Sequence, residues 1–263
     1  MKRLFQLIIL TVGTVFTVYS QAPEKAAEDT WINLLHLEGG AVFLNGSINE
    51  DLDIRQDINR FYHTPVSHGH ISSFTSGHTF GIRWEYFHQK YRAGISTGLR
   101  VKSYNTEITG STSSGTDFFY IRYSEIDSDT KFARLKSITE NRSLLTVPVE
   151  VRFFPLQVPF FGLYLKAGCD FSLTNLKHST DVSFHNEDMK TEKNAVKKSF
   201  HRETDDLYAT AYAALGFKFG KPDKINYMFE IFLPSLYLTN NNFVLTDAEY
   251  YSGLRFSLQY PFN

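Results

Sequence analysis

The sequence predicts an all-β protein, a closed antiparallel transmembrane β-barrel of about eight strands, with a ten-stranded barrel as the alternative. Three observations carry this prediction. Apolar and polar residues alternate with period two in about eight separate segments. The connections between these segments alternate between long and short. The N-terminus has the layout of a secretory signal.

The N-terminal segment predicts export from the cytoplasm. Lys2 and Arg3 form a short basic segment after Met1, and residues 4–18 are mostly apolar. Val18, Tyr19 and Ser20 then resemble a cleavage site. The apolar run is shorter than the roughly 20 residues of a spanning helix. We therefore expect a signal peptide at 1–20, a short periplasmic segment at 21–31 and a barrel domain at 32–263. The residue directly after the cut is Gln21 and not a cysteine, so a lipoprotein anchor is not expected.

Composition narrows the function classes. The 263 residues include 24 Phe, 15 Tyr and 2 Trp, which fits either a membrane barrel or a secreted all-β domain. A formal net charge of −1 gives no case for nucleic-acid binding. A single cysteine excludes an intramolecular disulfide framework.

Eight segments show the strand pattern. Phe80, Ile82 and Trp84 share one face of the second segment, while Thr79 and Arg83 share the other. The predicted strands cover residues 35–43, 78–87, 91–102, 145–154, 161–171, 207–219, 227–233 and 249–262. Alternation of this kind predicts a sheet with one apolar and one polar face.

The connections predict how the barrel is oriented. Long stretches at 45–77, 104–142 and 174–205 alternate with short turns at 88–90, 155–159 and 220–224, and a moderate loop covers 239–246. Short turns face the periplasm and long loops face the exterior in outer-membrane barrels, whereas a soluble β-sandwich has no reason for the alternation. Within the second loop, 118–123 and 132–138 also alternate. They either extend strands above the bilayer or add two strands to make ten.

The polar faces predict a charge network inside the barrel. Lipid gives an open sheet no partners, so the sheet must close, and eight strands leave a lumen that side chains fill. Buried charges require pairing, so we expect a salt-bridge plug rather than an ion-conducting pore. The predicted network contains Glu38, Arg83, Glu85, Arg92, Arg100, Glu150, Arg152, Lys166, Asp170, Lys218, Glu230 and Arg255, and Lys102 shares its face.

The apolar faces predict contact with lipid. Aromatic residues near the short turns are expected to form an interfacial girdle: Tyr86, Tyr91, Phe153, Phe161, Phe219, Tyr227, Tyr260 and Phe262. The last strand resembles the signal that barrel-assembly machinery reads, through Phe256, Leu258, Tyr260 and Phe262. It departs from the usual form because Asn263 follows the final aromatic residue.

No catalytic, cofactor or metal site is predicted. His63, His68, His70 and His78 lack the cysteine or carboxylate spacing of a metal site. His70-Ile71-Ser72 resembles the His-x-Ser of outer-membrane lipid A deacylases, but that family carries its motif on a late strand and not in the first loop. Cys169 lies on an apolar face, where it is a small hydrophobic residue.

One stretch resembles a known family. Leu144-Leu145-Thr146-Val147-Pro148-Val149-Glu150-Val151-Arg152-Phe153-Phe154 and the following Tyr164-Leu165-Lys166-Ala167-Gly168 are similar to the outer-membrane β-barrel family common in Bacteroidetes. That family includes porin-like proteins and PorT-type secretion components. The resemblance covers roughly residues 32–263 and implies the barrel fold and the outer-membrane location, but no particular activity.

These observations predict a non-enzymatic protein of the cell outer membrane. Its expected role is structural or in surface interaction, as an accessory of an envelope or secretion complex. Its expected partners are outer-membrane lipid, the barrel-assembly machinery and envelope proteins. A narrow porin-like channel for small solutes is the second hypothesis, and a lipid-modifying outer-membrane enzyme is the third.

Overall fold

Ten β-strands account for most of the chain that the computed structural model describes, which is residues 30–55, 71–110, 118–123, 131–200, 206–221, 224–239 and 243–262. The strands are β1 (Trp31–Ile48), β2 (Ile54–Arg55), β3 (Ile71–His88), β4 (Ala93–Gly110), β5 (Phe119–Tyr123), β6 (Lys131–Val158), β7 (Phe161–Phe184), β8 (Leu207–Phe219), β9 (Asn226–Tyr237) and β10 (Thr246–Phe262). A 3-10 turn (Glu187–Glu192) leads into a short helix, α1 (Lys193–Lys198). Among these residues no helix has the length and apolarity needed to cross a membrane.

Eight of the strands close into an antiparallel ring in the order β1, β3, β4, β6, β7, β8, β9 and β10. Successive pairing partners around this ring are Tyr260, Leu35, Trp84, Thr97, Val149, Cys169, Ala211, Leu236 and Tyr250. The path returns to β10 displaced by 260 − 250 = 10 residues. Eight strands with this stagger are inclined by roughly 40° and enclose a lumen only wide enough for side chains.

The eight-stranded prediction is therefore confirmed, and the ten-stranded ring is wrong. The two remaining strands form a branch: Ile54 of β2 pairs with Ile121 of β5, and Phe119 of β5 pairs with Leu135 of β6. This is because β6 is 28 residues long and its first residues project beyond the ring. β5 pairs with that projecting part and does not enter the wall.

The long and short connections alternate as predicted. The turns 89–92, 159–160 and 220–225 lie at one end of the barrel, here called the turn end, and the long connections lie at the opposite loop end. The strands run further toward the loop end than predicted, since β3 begins at Ile71 and β7 continues to Phe184. There the outward face is polar, with Ser103 Oγ 3.1 Å from Ser143 Oγ, so the pattern fades while the strand pairing continues.

The two faces of the wall are reversed relative to a soluble protein. Outward side chains such as Ile82, Leu99 and Val151 are 53%, 56% and 52% exposed, whereas charged side chains fill the interior. No Asp, Glu, Lys or Arg faces outward in the apolar band that the described strands form. An apolar exterior around a polar interior is the arrangement of a barrel surrounded by lipid.

Candidate functional site: a filled barrel interior

The interior consists of four layers stacked from the turn end to the loop end. The first is an apolar floor, made of Leu34, Phe87, Phe154, Tyr164 and Met228. Above it lies the charge cluster, followed by a tyrosine layer made mainly of Tyr104, Tyr208, Tyr212, Phe232, Phe243 and Tyr251. The fourth is an apolar cap beyond the ring, which includes Ile54, Ile108, Phe119, Leu135, Val196 and Leu245.

Glu150 is at the centre of the charge cluster. β6 carries it inward at a position where the side chain is fully buried. Its carboxylate accepts hydrogen bonds from Arg83, Arg100 and Tyr212. Arg255 Nη1 lies 3.1 Å from the same carboxylate, and Lys166 Nζ lies 3.3 Å away. Five groups from five other strands therefore meet at one acidic side chain.

The remaining acidic residues of the cluster pair with Arg100 and Lys166 and with two further cations, Arg152 and Lys102. Arg152 donates from Nε and Nη2 to Glu85, at 3.0 and 2.6 Å. Asp170 accepts from Arg100 at 2.8 Å and lies 2.7 Å from Lys102 Nζ. Glu38 pairs with Arg100, and Glu230 pairs with Lys166. Pairing of this kind offsets part of the free energy lost when the charges leave water.

His36 joins the cluster as a neutral linker. Its Nε2 lies 2.8 Å from Glu85 and its Nδ1 lies 3.1 Å from Arg83 Nη2. A guanidinium only donates, so Nδ1 accepts and the ring proton resides on Nε2. His36 thus connects an acid and a base from the same strand, β3.

The structure brings together ten of the twelve residues expected to form the network. Lys218 lies at the turn end, 9% exposed, with Nζ 5.9 Å from the centre of the Phe154 ring. Arg92 was placed wrongly: it is half-buried in the turn before β4, with a φ of 52°. Left-handed backbone is typical of turns and not of strands, so β4 begins only at Ala93. His36, Tyr164 and Tyr212 take part in the network, although their neutral side chains gave no charge signal.

A strap, defined as Phe243 to Leu245, folds from the β9–β10 connection into the loop end of the barrel. The Phe243 side chain is fully buried and packs edge-on against Tyr104, with ring centroids 5.5 Å apart. Arg142 lies over the other part of the ring, 5.9 Å from its centre. The sequence predicts an ordinary loop at 239–246, although three consecutive apolar residues after Asn240 to Asn242 are a pattern that could have indicated a buried segment.

Glu140 anchors the strap from the opposite wall. Its buried carboxylate accepts hydrogen bonds from the backbone N–H groups of Val244 at 3.2 Å and Leu245 at 3.0 Å. Asn49 on the neighbouring side donates from Nδ2 to the Val244 carbonyl at 3.0 Å, and its own N–H donates to the Leu245 carbonyl. Backbone groups that would otherwise be buried without partners are thereby satisfied.

The cap extends the closed interior beyond the ring. Ile54 of β2, Phe119 of β5 and Val196 of α1 are all fully buried in it. The helix is held to the end of β7 by Asp181, whose carboxylate lies 2.6 Å from Lys193 Nζ and 2.9 Å from Lys197 Nζ. Hydrogen bonds from these two lysines lower the pKa of Asp181 to about 2.

The exterior carries the predicted aromatic residues near the turn end. Tyr86, Tyr91, Phe219 and Tyr227 are between 43% and 63% exposed, and Trp31 stacks on Tyr86 with ring centroids 4.3 Å apart. Three of the four residues predicted as an assembly signal, Phe256, Tyr260 and Phe262, are exposed on the outer face of β10, and Leu258 is half-buried there. Their reading by assembly machinery stays a prediction.

The residues considered for metal binding or catalysis do not form a site in the described chain. His63, His68 and His70 lie outside the described residues, and His78 is on the outer face of β3. No group of three or more His, Cys, Asp or Glu side chains is placed to hold a metal among the residues that were described. The predicted signal peptide at 1–20 and most of the predicted periplasmic segment at 21–31 also lie outside them.

Comparison with known proteins gives structural neighbours only. No family model and no curated protein matches the chain. The outer membrane protein OprG from Pseudomonas aeruginosa has 11% identity and a TM-score of 0.43, covering 87% of this chain and 96% of its own. The translocator domain of the autotransporter NalP from Neisseria meningitidis has 10% identity and a TM-score of 0.26, covering 97% and 96%. The transport unit of the autotransporter AIDA-I from Escherichia coli has 9% identity and a TM-score of 0.25, covering 95% of this chain and 97% of its own. TM-scores this low carry no argument about the fold, which is established instead by the strand pairing within this chain.

Proposed function

We propose that this protein is an integral outer-membrane β-barrel with a closed lumen and no enzymatic activity. Its role is structural or in surface interaction, as an accessory of an envelope or secretion complex. Within the outer-membrane barrels we assign it to the family common in Bacteroidetes, on the strand that contains Val147, Pro148 and Val149 and on the segment that follows.

The outer surface supports the membrane location. An uncharged band of Leu, Val, Ile and Phe surrounds the ring, and aromatic side chains mark its turn end. A soluble protein would expose this large apolar area to water at a high cost. Lipid removes that cost, and the closed ring satisfies the backbone groups that lipid cannot.

The filled lumen is the observation that carries the functional proposal. The apolar floor, the charge cluster and the tyrosine layer lie one above another in the barrel interior, and the cap lies beyond them at the loop end. Side chains such as Arg83, Glu150 and Phe243 are fully buried in these layers. A narrow porin-like channel needs a continuous aqueous path, and the fully buried side chains of these layers argue against such a path. The extended strands and cap instead place a folded surface above the membrane.

Fractionation of the native membrane tests the location. The protein should be extracted by detergent only, and its migration on a gel should change on heating, as for a closed barrel that resists unfolding by detergent. Recovery in the periplasmic soluble fraction would contradict the proposal. An accessory role predicts that crosslinking through the loop end retains a defined envelope protein, whereas crosslinking through exposed lysines at the turn end does not.

The lipid-modifying alternative has a direct test. Ser72 lies at the outer face of β3, with Oγ 3.3 Å from Thr109 Oγ1. His70→Ala and Ser72→Ala should leave the lipid A acylation pattern of the host membrane unchanged. A change in that pattern in both variants, with the barrel still assembled, would overturn the non-enzymatic assignment.

A further inference from the structure

Two neighbouring turns at the turn end bring basic and aromatic side chains together. The N–H of Gly220 donates to the Phe160 carbonyl at 3.0 Å, which ties the β8–β9 turn to the β6–β7 turn. Gly220 has a φ of 128°, which glycine adopts without strain. Asn226 Nδ2 donates to the Lys224 carbonyl at 2.8 Å and closes the other side of the turn.

This arrangement presents two lysines beside an exposed ring. Lys221 Nζ lies 5.3 Å from the centre of the Phe160 ring, and Phe160 is 62% exposed. Lys224 is exposed in the same turn. Lys218 lies inside the barrel, so the turn at 220–224 carries two lysines and one aspartate, a net charge of 2 − 1 = +1. We call Phe160, Lys221 and Lys224 the lysine rim.

An apolar surface continues from the lysine rim into the lipid-facing band. Phe161 and Phe219 pack with ring centroids 5.5 Å apart, and Phe219 and Tyr227 are about half exposed. Ile225 is 54% exposed beside them. Basic groups at the edge of the band with apolar groups below match the charge and polarity of an anionic phospholipid, whose phosphate and acyl chain occupy the same two depths.

We propose that the lysine rim binds the headgroup of an anionic glycerophospholipid in the periplasmic leaflet. The two ammonium groups contact the phosphate, and the acyl chain lies along Phe161, Phe219 and Tyr227. Anionic headgroups are favoured over zwitterionic ones because an amine on the headgroup would cancel the attraction to the lysines. This inference rests on the proposed membrane location.

Native mass spectrometry with the full mature barrel tests the lipid assignment. Detergent-solubilised protein is titrated with phosphatidylglycerol and, separately, with phosphatidylethanolamine. We expect phosphatidylglycerol to bind more tightly than phosphatidylethanolamine. We expect Lys221→Gln/Lys224→Gln to weaken its binding roughly 10- to 30-fold, since each lysine near a membrane surface contributes about a factor of five. The matched control, Lys190→Gln/Lys198→Gln at the loop end, should bind as the wild type does.

Three outcomes would overturn the inference. They are equal affinity for the two lipids, unchanged affinity in the Lys221/Lys224 variant, or a soluble polyglutamate peptide that binds through the same lysines as tightly as phosphatidylglycerol. The last would indicate an acidic soluble partner. Heat-dependent migration of every variant is measured alongside: its loss in the wild type refutes the barrel proposal, whereas its retention with no lipid preference refutes only the lysine rim.

Discussion

At the scale of single residues, Glu150 shows how one carboxylate compensates several buried cations in the lumen. Its carboxylate contacts Arg83, Arg100 and Tyr212 and lies within 3.3 Å of Arg255 and Lys166. Buried ion pairs add little net stability when complete, but removing one partner leaves a buried charge without compensation. The position of this one acid therefore decides whether several cations can be buried in the lumen.

Glu150→Ala should destabilise the barrel strongly. We expect the free energy of unfolding to fall by about 3–5 kcal/mol, because buried guanidinium groups lose their partner. Urea unfolding in detergent micelles, followed by tryptophan fluorescence, measures this change. Glu107→Ala is the matched control, since Glu107 is exposed on the outer face of the same sheet and should cost at most about 0.5 kcal/mol. Equal effects of the two substitutions would contradict the central role of Glu150.

Asp181 adds a pH dependence outside the membrane. Its pKa is lowered from the ordinary 3.8 to about 2 by Lys193 and Lys197, so its contribution is complete above pH 3.8 and is lost as the pH falls toward 2. The carboxyl is 58% exposed, so solvent screening keeps this contribution small. Amide exchange of α1, expressed relative to the intrinsic exchange rate at each pH, should therefore accelerate between pH 3.8 and 2 in the wild type. In Asp181→Asn it should be fast already at pH 5; an unchanged profile would show that the helix is held otherwise.

At the scale of elements, the strap closes the loop end through a single carboxylate on β6. Glu140 accepts two backbone N–H groups that no solvent reaches. An unsatisfied buried donor costs about 1–3 kcal/mol. Glu140 binds the N–H groups of the strap, and Asn49 binds its carbonyl groups.

Glu140→Ala should loosen the strap without opening the ring. We expect amide exchange at Val244 and Leu245 to increase by at least tenfold and stability to fall by about 2–4 kcal/mol, from two lost hydrogen bonds. Exchange in β1 and β3 should stay near that of the wild type. Glu249→Ala, an exposed acid on β10, is the control. Protected amides at both positions in Glu140→Ala would show that Asn49 alone holds the strap.

The elements also show how far the sequence determines the fold. Period-two alternation located the eight wall strands, since lipid on one face and charges on the other give each strand two distinct sides. It stopped short of their ends above the membrane, where Ser, Thr and Asn face outward on paired strands such as β4 and β6. The local alternation at 118–123 and 132–138 indicated β5 and the projecting start of β6, but it did not predict that β2 pairs with β5 outside the ring.

Inside the barrel, the sequence predicts which side chains face the lumen but not which of them pair with each other. Side chains alternate between the two faces of a strand, so their positions predict that Glu38, Glu150 and Arg255 share the lumen. Which acid pairs with which base depends on the stagger of ten residues around the ring, and this is a property of closure. Arg92 was misplaced because one left-handed residue ends the parity of a strand.

At the scale of the whole molecule, a polar interior with paired charges and an apolar exterior form one arrangement. The apolar exterior is stable only in lipid, and lipid offers the backbone no hydrogen-bond partners, so the sheet closes into a ring. A ring of eight strands has a lumen that side chains can fill. The floor, the charge cluster, the tyrosine layer and the strap are the ways in which this sequence fills it.

Single-channel recording in planar lipid bilayers tests the closed lumen most directly. We predict that the purified, heat-modifiable protein inserts into the bilayer and gives no stepwise currents at about ±100 mV in about 1 M KCl, conditions under which porins conduct. A porin of larger strand number, reconstituted in the same way, is the positive control. Reproducible stepwise currents from the wild-type protein, absent when it is heat-denatured before addition, would contradict the account.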